Sequence, residues 1–393
     1  MSLFTWSASA RDLLLLFDVG SGSVGGAIAL HAKAEPPTIL YSTRSEILFK
    51  HDMTAKRLLS LCQRALAEVV LALVHEGFAR AGFPGHRPQV AEALVSLSAP
   101  WTMSKTSILH VSNKKPTRIT DAIFRALLAE DRKATEASMP SGGVQIEHKL
   151  VNSVINGYET EDPYGKIATT AEFTVLSGYS LPKVVESISD SISHLIHPKT
   201  LSFHSFSFLS FAVLRELFPE HENFVFVDVS GEQTEVSVVK KGISLETVSY
   251  PYGKNHLIRA LEKKGGLPPS GAESFVKLYN EGMMKGALSE KGAQVLDLFK
   301  KEWLRRFLRV TAMFSEQVFL PQVLFLTADS HIAPLIKQSI GESNFAEFTL
   351  ASSPFQTVFV DESVLAPYVR ANGDVPHDPF LSLIALYAGR LRG

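Results

Sequence analysis

The sequence predicts an α/β protein built of two related lobes, on three observations. An apolar run ending in aspartate, a short polar turn and a second apolar run occupy residues 13–30, and the same unit returns at 224–239. A long helical pattern follows the first copy and a helical block follows the second. At 393 residues, with 45% hydrophobic and 20% charged side chains, the chain is also long enough to bury more than one core.

The elements follow in order. Leu13 to Phe17 run into Asp18, then Val19-Gly20-Ser21-Gly22-Ser23, then Val24 to Leu30, which reads as strand, glycine-rich turn, strand. Residues 54–83 repeat Leu58, Leu61, Ala65, Leu66, Val69 and Leu73 at helical spacing and stop near Gly82 and Pro84. A strand is expected at Ala93–Leu97. Between 98 and 180 the texture changes to a small α+β insert: Thr120-Asp121 caps a short helix, Ser141-Gly142-Gly143 reads as a mobile loop, and Asn156-Gly157 marks a turn between strands. Leu181 to Phe218 reads as two helices, the second crowded with Phe203, Phe206, Phe208 and Phe211 as core residues. Phe224 to Val227, Asp228-Val229-Ser230-Gly231-Glu232-Gln233-Thr234 and the strand Glu235–Val239 form the second copy. A helical block from about 256 to 316, a strand Val323–Leu326 leading into Thr327-Ala328-Asp329-Ser330 and a helix, and a closing helix Pro379–Arg390 complete the chain.

Composition excludes several classes. With 39 basic and 40 acidic side chains the net charge is −1, which offers no global attraction for nucleic acid or an acidic membrane. The single cysteine, Cys62, lies in an apolar helical stretch, so disulfides and cysteine-based metal sites are excluded and a reducing cytoplasm is the expected compartment. The apolar run at Leu13–Phe17 is too short for a secretory segment, and the longest apolar stretch, Glu68–His75, falls short of the roughly 20 residues a membrane span needs. A helix carrying Lys300, Lys301, Arg305, Arg306 and Arg309 between Trp303, Leu304, Phe307 and Leu308 reads as a two-faced helix packed in the second lobe, with membrane or nucleic-acid contact as the alternative.

The two turns carry the chemistry. A tight glycine- and serine-rich hairpin aims consecutive backbone N–H groups into one small volume, a nest that suits phosphate oxygens. An aspartate closing the preceding strand suits a hydrated magnesium ion, since a hard cation takes carboxylate oxygens. Asp18 and Asp228 stand in that place.

With these motifs the sequence resembles the actin-like ATPase superfamily, and within it the FtsA/PilM branch. Phe17 to Val24 is similar to the first phosphate motif and Val227 to Thr234 to the second. Ile119-Thr120-Asp121, Asn156-Gly157-Tyr158 with Asp162-Pro163-Tyr164-Gly165-Lys166, and Ala272-Glu273-Ser274-Phe275-Val276-Lys277 resemble segments of that branch, so the resemblance spans residues 13 to about 388. It implies a duplicated ribonuclease H-like fold with an SHS2-like insert. Residues 1–97 and 181–221, joined by the closing helix at 377–393, would form the first lobe (1A), and 98–180 the insert. Residues 222–258 and 320–376 would form the second lobe (2A), with 259–319 its helical subdomain (2B). It further implies ATP and Mg: metal through Asp18 and Asp228, and nucleotide through Gly20, Ser21, Gly22, Ser23, Gly231, Thr234, Glu273, Lys277 and Thr327.

The pattern also departs from the superfamily. Ser230, Glu232 and Gln233 replace small or glycine positions in the second turn, where Glu232 would bring negative charge toward phosphates. Ala328-Asp329 stands for the Gly-Gly pair that meets adenine, Ser205 for the group that orients the attacking water, and Ile384-Ala385 for a glycine of the closing helix. At about 1–2 kcal/mol per lost contact, two losses weaken binding by roughly 30- to 1,000-fold. A scaffold with weak or degenerate ATP binding is therefore expected, with an active Mg-ATPase or sugar-kinase-like phosphotransferase as the alternative. The implied partners are other copies of itself and either an FtsZ-like protein or a peptide of a membrane protein, without nucleic acid. Contact with the cytoplasmic face of an inner membrane would be peripheral: the last apolar stretch is assigned to the core rather than to an amphipathic anchor, and Met1, Leu3, Phe4 and Trp6 read as an arm or an added edge strand.

Overall fold

The structure is a computed structural model that describes residues 12–47, 53–85, 88–139, 142–283, 286–316, 319–349 and 353–392. Met1, Leu3, Phe4, Trp6 and Ser141 therefore lie outside the described residues.

The chain opens with β1 (Asp12–Val19), β2 (Ser23–His31) and β3 (Thr38–Glu46), an antiparallel meander. Helix α1 (Ala55–Ala72) starts at Thr54, whose hydroxyl accepts the Arg57 N–H, and continues through a π turn (Leu73–Gly77) into α2 (Phe78–Arg80). This run has the length and mean hydropathy, 1.5, of a membrane span. Leu58, Cys62, Leu66 and Val69 are nevertheless buried in the first lobe's core, while Arg57, Arg64, Glu68 and Glu76 are exposed, the pattern of an amphipathic helix on a sheet. Strand β4 (Glu92–Leu97) then pairs parallel with β1.

The insert comprises β5 (Thr102–Arg118), α3 (Asp121–Ser138), β6 (Val144–Ile155), β7 (Tyr158–Glu159) and β8 (Ile167–Ser180), in a sheet ordered β5-β8-β6-β7. Thr120 caps α3 through the Ile123 N–H as expected, but the helix is 18 residues long rather than short. Asn156 and Gly157 both take positive φ, 50° and 87°, as a two-residue hairpin turn demands.

The chain returns to the first lobe in α4 (Pro182–Ser193), β9 (Thr200–Ser205) and α5 (Phe206–Leu217). The two expected helices are present, but a strand the sequence reading did not place lies between them: residues 200–205 pair parallel with β4 along their whole length. Phe203 accordingly lies on a strand and only Phe206, Phe208 and Phe211 on the helix. No period was readable in so short a run, and the neighbouring strand decided it.

The second half repeats the plan with β10 (Phe224–Val229), β11 (Thr234–Lys240) and β12 (Ile243–Tyr250), then helices α6 (Lys254–Lys263), α7 (Pro269–Asn280) and α8 (Ala287–Ser315). Trp303 and Phe307 of α8 are fully buried, while Lys301, Arg305 and Arg306 pair with Asp297 and Glu302 on the same helix. The chain finishes with β13 (Val323–Ala328), α9 (Ala333–Gly341), β14 (Gln356–Phe359), α10 (Glu362–Leu365), β15 (Arg370–Ala371) and α11 (Pro379–Arg390). The two large sheets have one topology: β3-β2-β1-β4-β9, with β15 added at its edge, and β12-β11-β10-β13-β14. In each, an antiparallel meander continues into two parallel strands.

Alternation along the first strand of each unit ties the lobes together. Leu13, Leu15 and Phe17 face the core under α1, whereas Leu14 and Leu16 face α5 and α11. Val225, Val227 and Val229 face the second lobe's core, whereas Phe224 and Phe226 turn to the same two central helices. Both strands are thus buried on both faces, which is why they read as unbroken apolar runs. The shared core under α5 and α11 holds the two hairpin turns opposite each other.

Candidate functional site between the lobes

The two turns match residue for residue. In the first, Val19 pairs with Val24 and the Gly20 N–H donates to the Ser23 carbonyl (3.1 Å); in the second, Val229 pairs with Thr234 and the Ser230 N–H donates to the Gln233 carbonyl (3.0 Å). Asp18 and Asp228 occupy equivalent places at the strand ends, one residue before each turn.

The turns touch. A Cβ on Gly231 would lie 2.4 Å from the Gly22 nitrogen, and one on Gly22 would lie 3.0 Å from the Gly231 Cα, so only paired glycines allow this approach. A chain of hydrogen bonds crosses the contact: the Glu232 N–H donates to Ser21 Oγ (2.8 Å), leaving the Ser21 hydroxyl to donate to Ser230 Oγ (3.0 Å) and Ser230 to the Ala99 carbonyl (3.4 Å). Trp101 Nε1 fixes the Gly20 carbonyl at 2.9 Å. The space left between Asp18, Ser23, Asp228 and Gly231 is about 30 Å³, room for a water or two.

Two cations of the chain itself pair with carboxylates around the contact, and one of them, Arg44, engages Asp18. Arg44, on β3, donates from Nη1 to Asp18 Oδ2 (2.9 Å) and Ser23 Oγ (2.8 Å), and from Nε to Asp378 Oδ2 (2.8 Å). It lies flat across Gly25, where a Cβ would come within 2.7 Å of its guanidinium. Lys254, at the start of α6, is 3% exposed and sits 2.7 Å from Asp329, 3.1 Å from Glu46 and 3.5 Å from Glu273. Burial disfavours its ammonium, but the three carboxylates outweigh that and hold its pKa above the usual lysine value. Burial raises Asp18 to about 6 despite Arg44, and pushes Asp228 well above the carboxylate range. Burial pushes Asp329 up, but Lys254, His331 and Arg44 together outweigh that and hold it below its ordinary value.

The expected site residues divide accordingly. Asp18, Gly20, Ser21, Gly22, Ser23, Asp228 and Gly231 come together around the contact. Thr327 lies opposite Asp228 on the parallel strand and donates its hydroxyl to Asp228 Oδ1 (2.8 Å). Glu273 faces Lys254, and Lys277 is exposed one turn further along α7. Thr234 turns away into the second lobe, where its buried hydroxyl donates to the Tyr252 carbonyl (2.7 Å) and accepts from Trp303 Nε1 (3.0 Å). Glu232 also departs from expectation: its carboxylate folds back onto α6 and forms a two-pronged pair with Arg259 (2.6 and 2.8 Å), leaving only its N–H at the turn. Ser205 is fully buried and gives its hydroxyl to Glu147 of the insert (2.6 Å), which also binds the Ser205 N–H (2.8 Å) and His204 Nδ1 (2.9 Å).

Sequence reasoning missed Arg44, Glu46, Lys254 and Asp378. The glycines inside β2 were the one available signal, since strand glycine marks a close approach. The gap at the turns does not hold the phosphates of Mg-ATP. The turns leave no gap for phosphates, the Asp18 carboxylate is engaged by a guanidinium, and the Asp228 carboxyl accepts from Thr327, its pKa raised by burial. Among the described residues no group of three or more His, Cys, Asp or Glu side chains is placed to hold a metal ion. What the arrangement does chemically is neutralise its own carboxylates and join the lobes.

The repeated sheet topology finds its counterpart among solved structures. A PilM–PilN type IV pilus biogenesis complex superposes at a TM-score of 0.60 with 14% identity, over 98% of this chain and 98% of that chain. The chain has the duplicated actin-like fold. Two others align less closely: a Bacteroides thetaiotaomicron protein with actin-like ATPase fold and unknown function (TM-score 0.40, 8% identity, 98% of each chain) and the ethanolamine utilization protein EutJ from Carboxydothermus hydrogenoformans (0.43, 10%, 96% of this chain and 89% of that chain). No protein-family model and no curated protein sequence matches the chain. At these identities the likeness is one of fold.

Proposed function

We propose that this protein is an assembly scaffold on the actin-like fold, of the PilM type, whose interlobe cleft is held shut by its own side chains rather than by nucleotide. The observation that carries the reading is the direct contact of the two turns, with Arg44 engaging Asp18 and Lys254 tying Glu46 of the first lobe to Asp329 of the second. Arg and Lys hold carboxylates at hydrogen-bonding distance and do not dissociate, whereas Mg²⁺ at about 2.0–2.1 Å comes and goes with its nucleotide. A cleft closed in this way is always in one state, which suits a platform better than a switch. In this reading the chain works at the cytoplasmic face of an inner membrane, in pilus assembly or a related envelope process, binding a segment of a membrane protein and further copies of itself.

Three measurements test the reading. Mg-ATP at millimolar concentration should leave the melting temperature unchanged, whereas a ligand at 100-fold above its Kd adds about 2.7 kcal/mol. Turnover of several ATP per second that is abolished by Asp18→Ala would overturn it. Co-sedimentation with vesicles should require a membrane-embedded partner.

A further inference from the structure

Beside the closed turns lies a second, much larger space. A cavity of about 650 Å³ opens between the lobes and shares Arg44, Asp329 and Phe380 with the small gap at the turns. It sits beyond the carboxyl ends of the parallel strands β13 and β14, the side on which open α/β sheets hold ligands. Its volume is that of a small-molecule or side-chain pocket.

The lining decides what it accepts. Arg44 is the one guanidinium, and its charge is already divided between Asp18 and Asp378. Asp329 is matched by Lys254. Asp361 and Glu362, at the start of α10, have no lysine or arginine partner among the described residues, though His377 lies beside Glu362. Asp361 Oδ1 caps that helix, accepting from the Val364 N–H (3.2 Å) and Ser363 Oγ (2.6 Å), and Glu362 lies 3.5 Å from His377 and 58% exposed. Phe359 and Phe380 supply apolar walls. Phe380 carries the Arg44 guanidinium over its ring at 5.3 Å, so the chain already uses this wall to hold a cation. Carboxylates beside aromatic faces repel phosphate and favour an ammonium or guanidinium on an apolar stem.

We propose that this cavity receives a lysine or arginine side chain from a partner segment. The inference rests on the scaffold reading for its source, because cytoplasmic segments that flank membrane spans are rich in Lys and Arg. The cavity would then anchor that segment by its charge, next to the ion pairs that hold the lobes together.

The test uses the full chain and a short labelled peptide of alternating lysine and leucine, followed by fluorescence anisotropy. Asp361→Asn combined with Glu362→Gln removes both charges and keeps a residue at 361 that caps a helix well. Binding should weaken by tenfold or more in this variant. It should stay unchanged in Glu76→Gln/Glu220→Gln, which removes two exposed charges elsewhere, and should vanish when the peptide's lysines become glutamine. Equal binding of the lysine and glutamine peptides, or equal loss in both variants, would each overturn the proposal. Capture of a membrane partner that survives Asp361→Asn/Glu362→Gln would overturn this inference and leave the scaffold reading standing. Peptide binding without any capture of membrane partners would do the reverse.

Discussion

Replacing Lys254 by methionine keeps most of its stem and removes the ammonium from the centre of the interlobe ion network. Three carboxylates lose their partner at once: Asp329 at 2.7 Å, Glu46 at 3.1 Å and Glu273 at 3.5 Å. Removing one member of a buried pair costs about 3–5 kcal/mol. Glu46 and Glu273 are each 44% exposed and recover hydration, whereas Asp329 is 27% exposed and recovers less, so the lower end, about 3 kcal/mol, is expected. That is a large share of the roughly 5–15 kcal/mol that holds a folded protein together. The pH dependence follows from the two directions of shift. Lys254 has a raised pKa, so its contribution is full below the unfolded value of 10.5 and is lost as pH rises through the folded value. Asp329 has a lowered one, so its contribution is full above the unfolded value of 3.8 and is lost as pH falls through the folded value. The defect of Lys254→Met should therefore be greatest across the neutral range and shrink toward both extremes. Urea unfolding followed through Trp101 and Trp303, one in each lobe, measures it. The double variant Lys254→Met/Asp329→Asn should be more stable than the single Lys254→Met, with a coupling of at least about 1 kcal/mol. A loss under about 1 kcal/mol at pH 7, or additive effects within about 0.5 kcal/mol, would refute the argument that this ammonium holds the lobes together.

Asp228→Asn tests the opposite sign. Burial raises the Asp228 carboxyl well above its ordinary range, so ionising it opposes folding and its contribution falls as pH rises past the unfolded value. The variant should melt higher than the parent at pH 8 and match it near pH 4, whereas a lower melting point at pH 8 would contradict this. Gly231→Ala places a Cβ 2.4 Å from the Gly22 nitrogen and 2.5 Å from Asn255 Nδ2, so the lobes should part locally at a cost of about 1–3 kcal/mol, with a larger radius of gyration in solution scattering. Unchanged stability and scattering would mean that the turns do not touch. Glu147→Ala strips acceptors from the Ser205 N–H, Ser205 Oγ and His204, and about 2–4 kcal/mol should be lost, with faster hydrogen exchange in β6 and β9. Protection that stays at the parental level in both strands would show that the insert is held elsewhere.

Much of the architecture was legible because the informative strands are buried on both faces. Leu13 to Phe17 and Phe224 to Val227 read as unbroken apolar runs for that reason, and the aspartate that follows each made the duplication visible. The closing helix was readable from Asp378-Pro379, a capping residue followed by a proline in the first turn, and the structure starts α11 at Pro379. Strand β9 was not legible: six residues carry too little period, and their conformation is set by pairing with β4 from residues more than a hundred positions earlier. Thr234 was misjudged for a similar reason, since its place in the turn motif says nothing of the Trp303 indole that claims its hydroxyl.

The sequence by itself determined the fold, because local apolar pattern and two repeated turns suffice to specify two related sheets. It also placed the turn residues, and the replacements at Ser230 and Asp329 already spoke against an ordinary nucleotide site. Only the tertiary structure decided what became of that site. Arg44 meets Asp378 across 334 positions, and Lys254 meets Glu46 across 208. Which charges neutralise which is a matter of distance in space, and it leaves no period, spacing or composition in the chain.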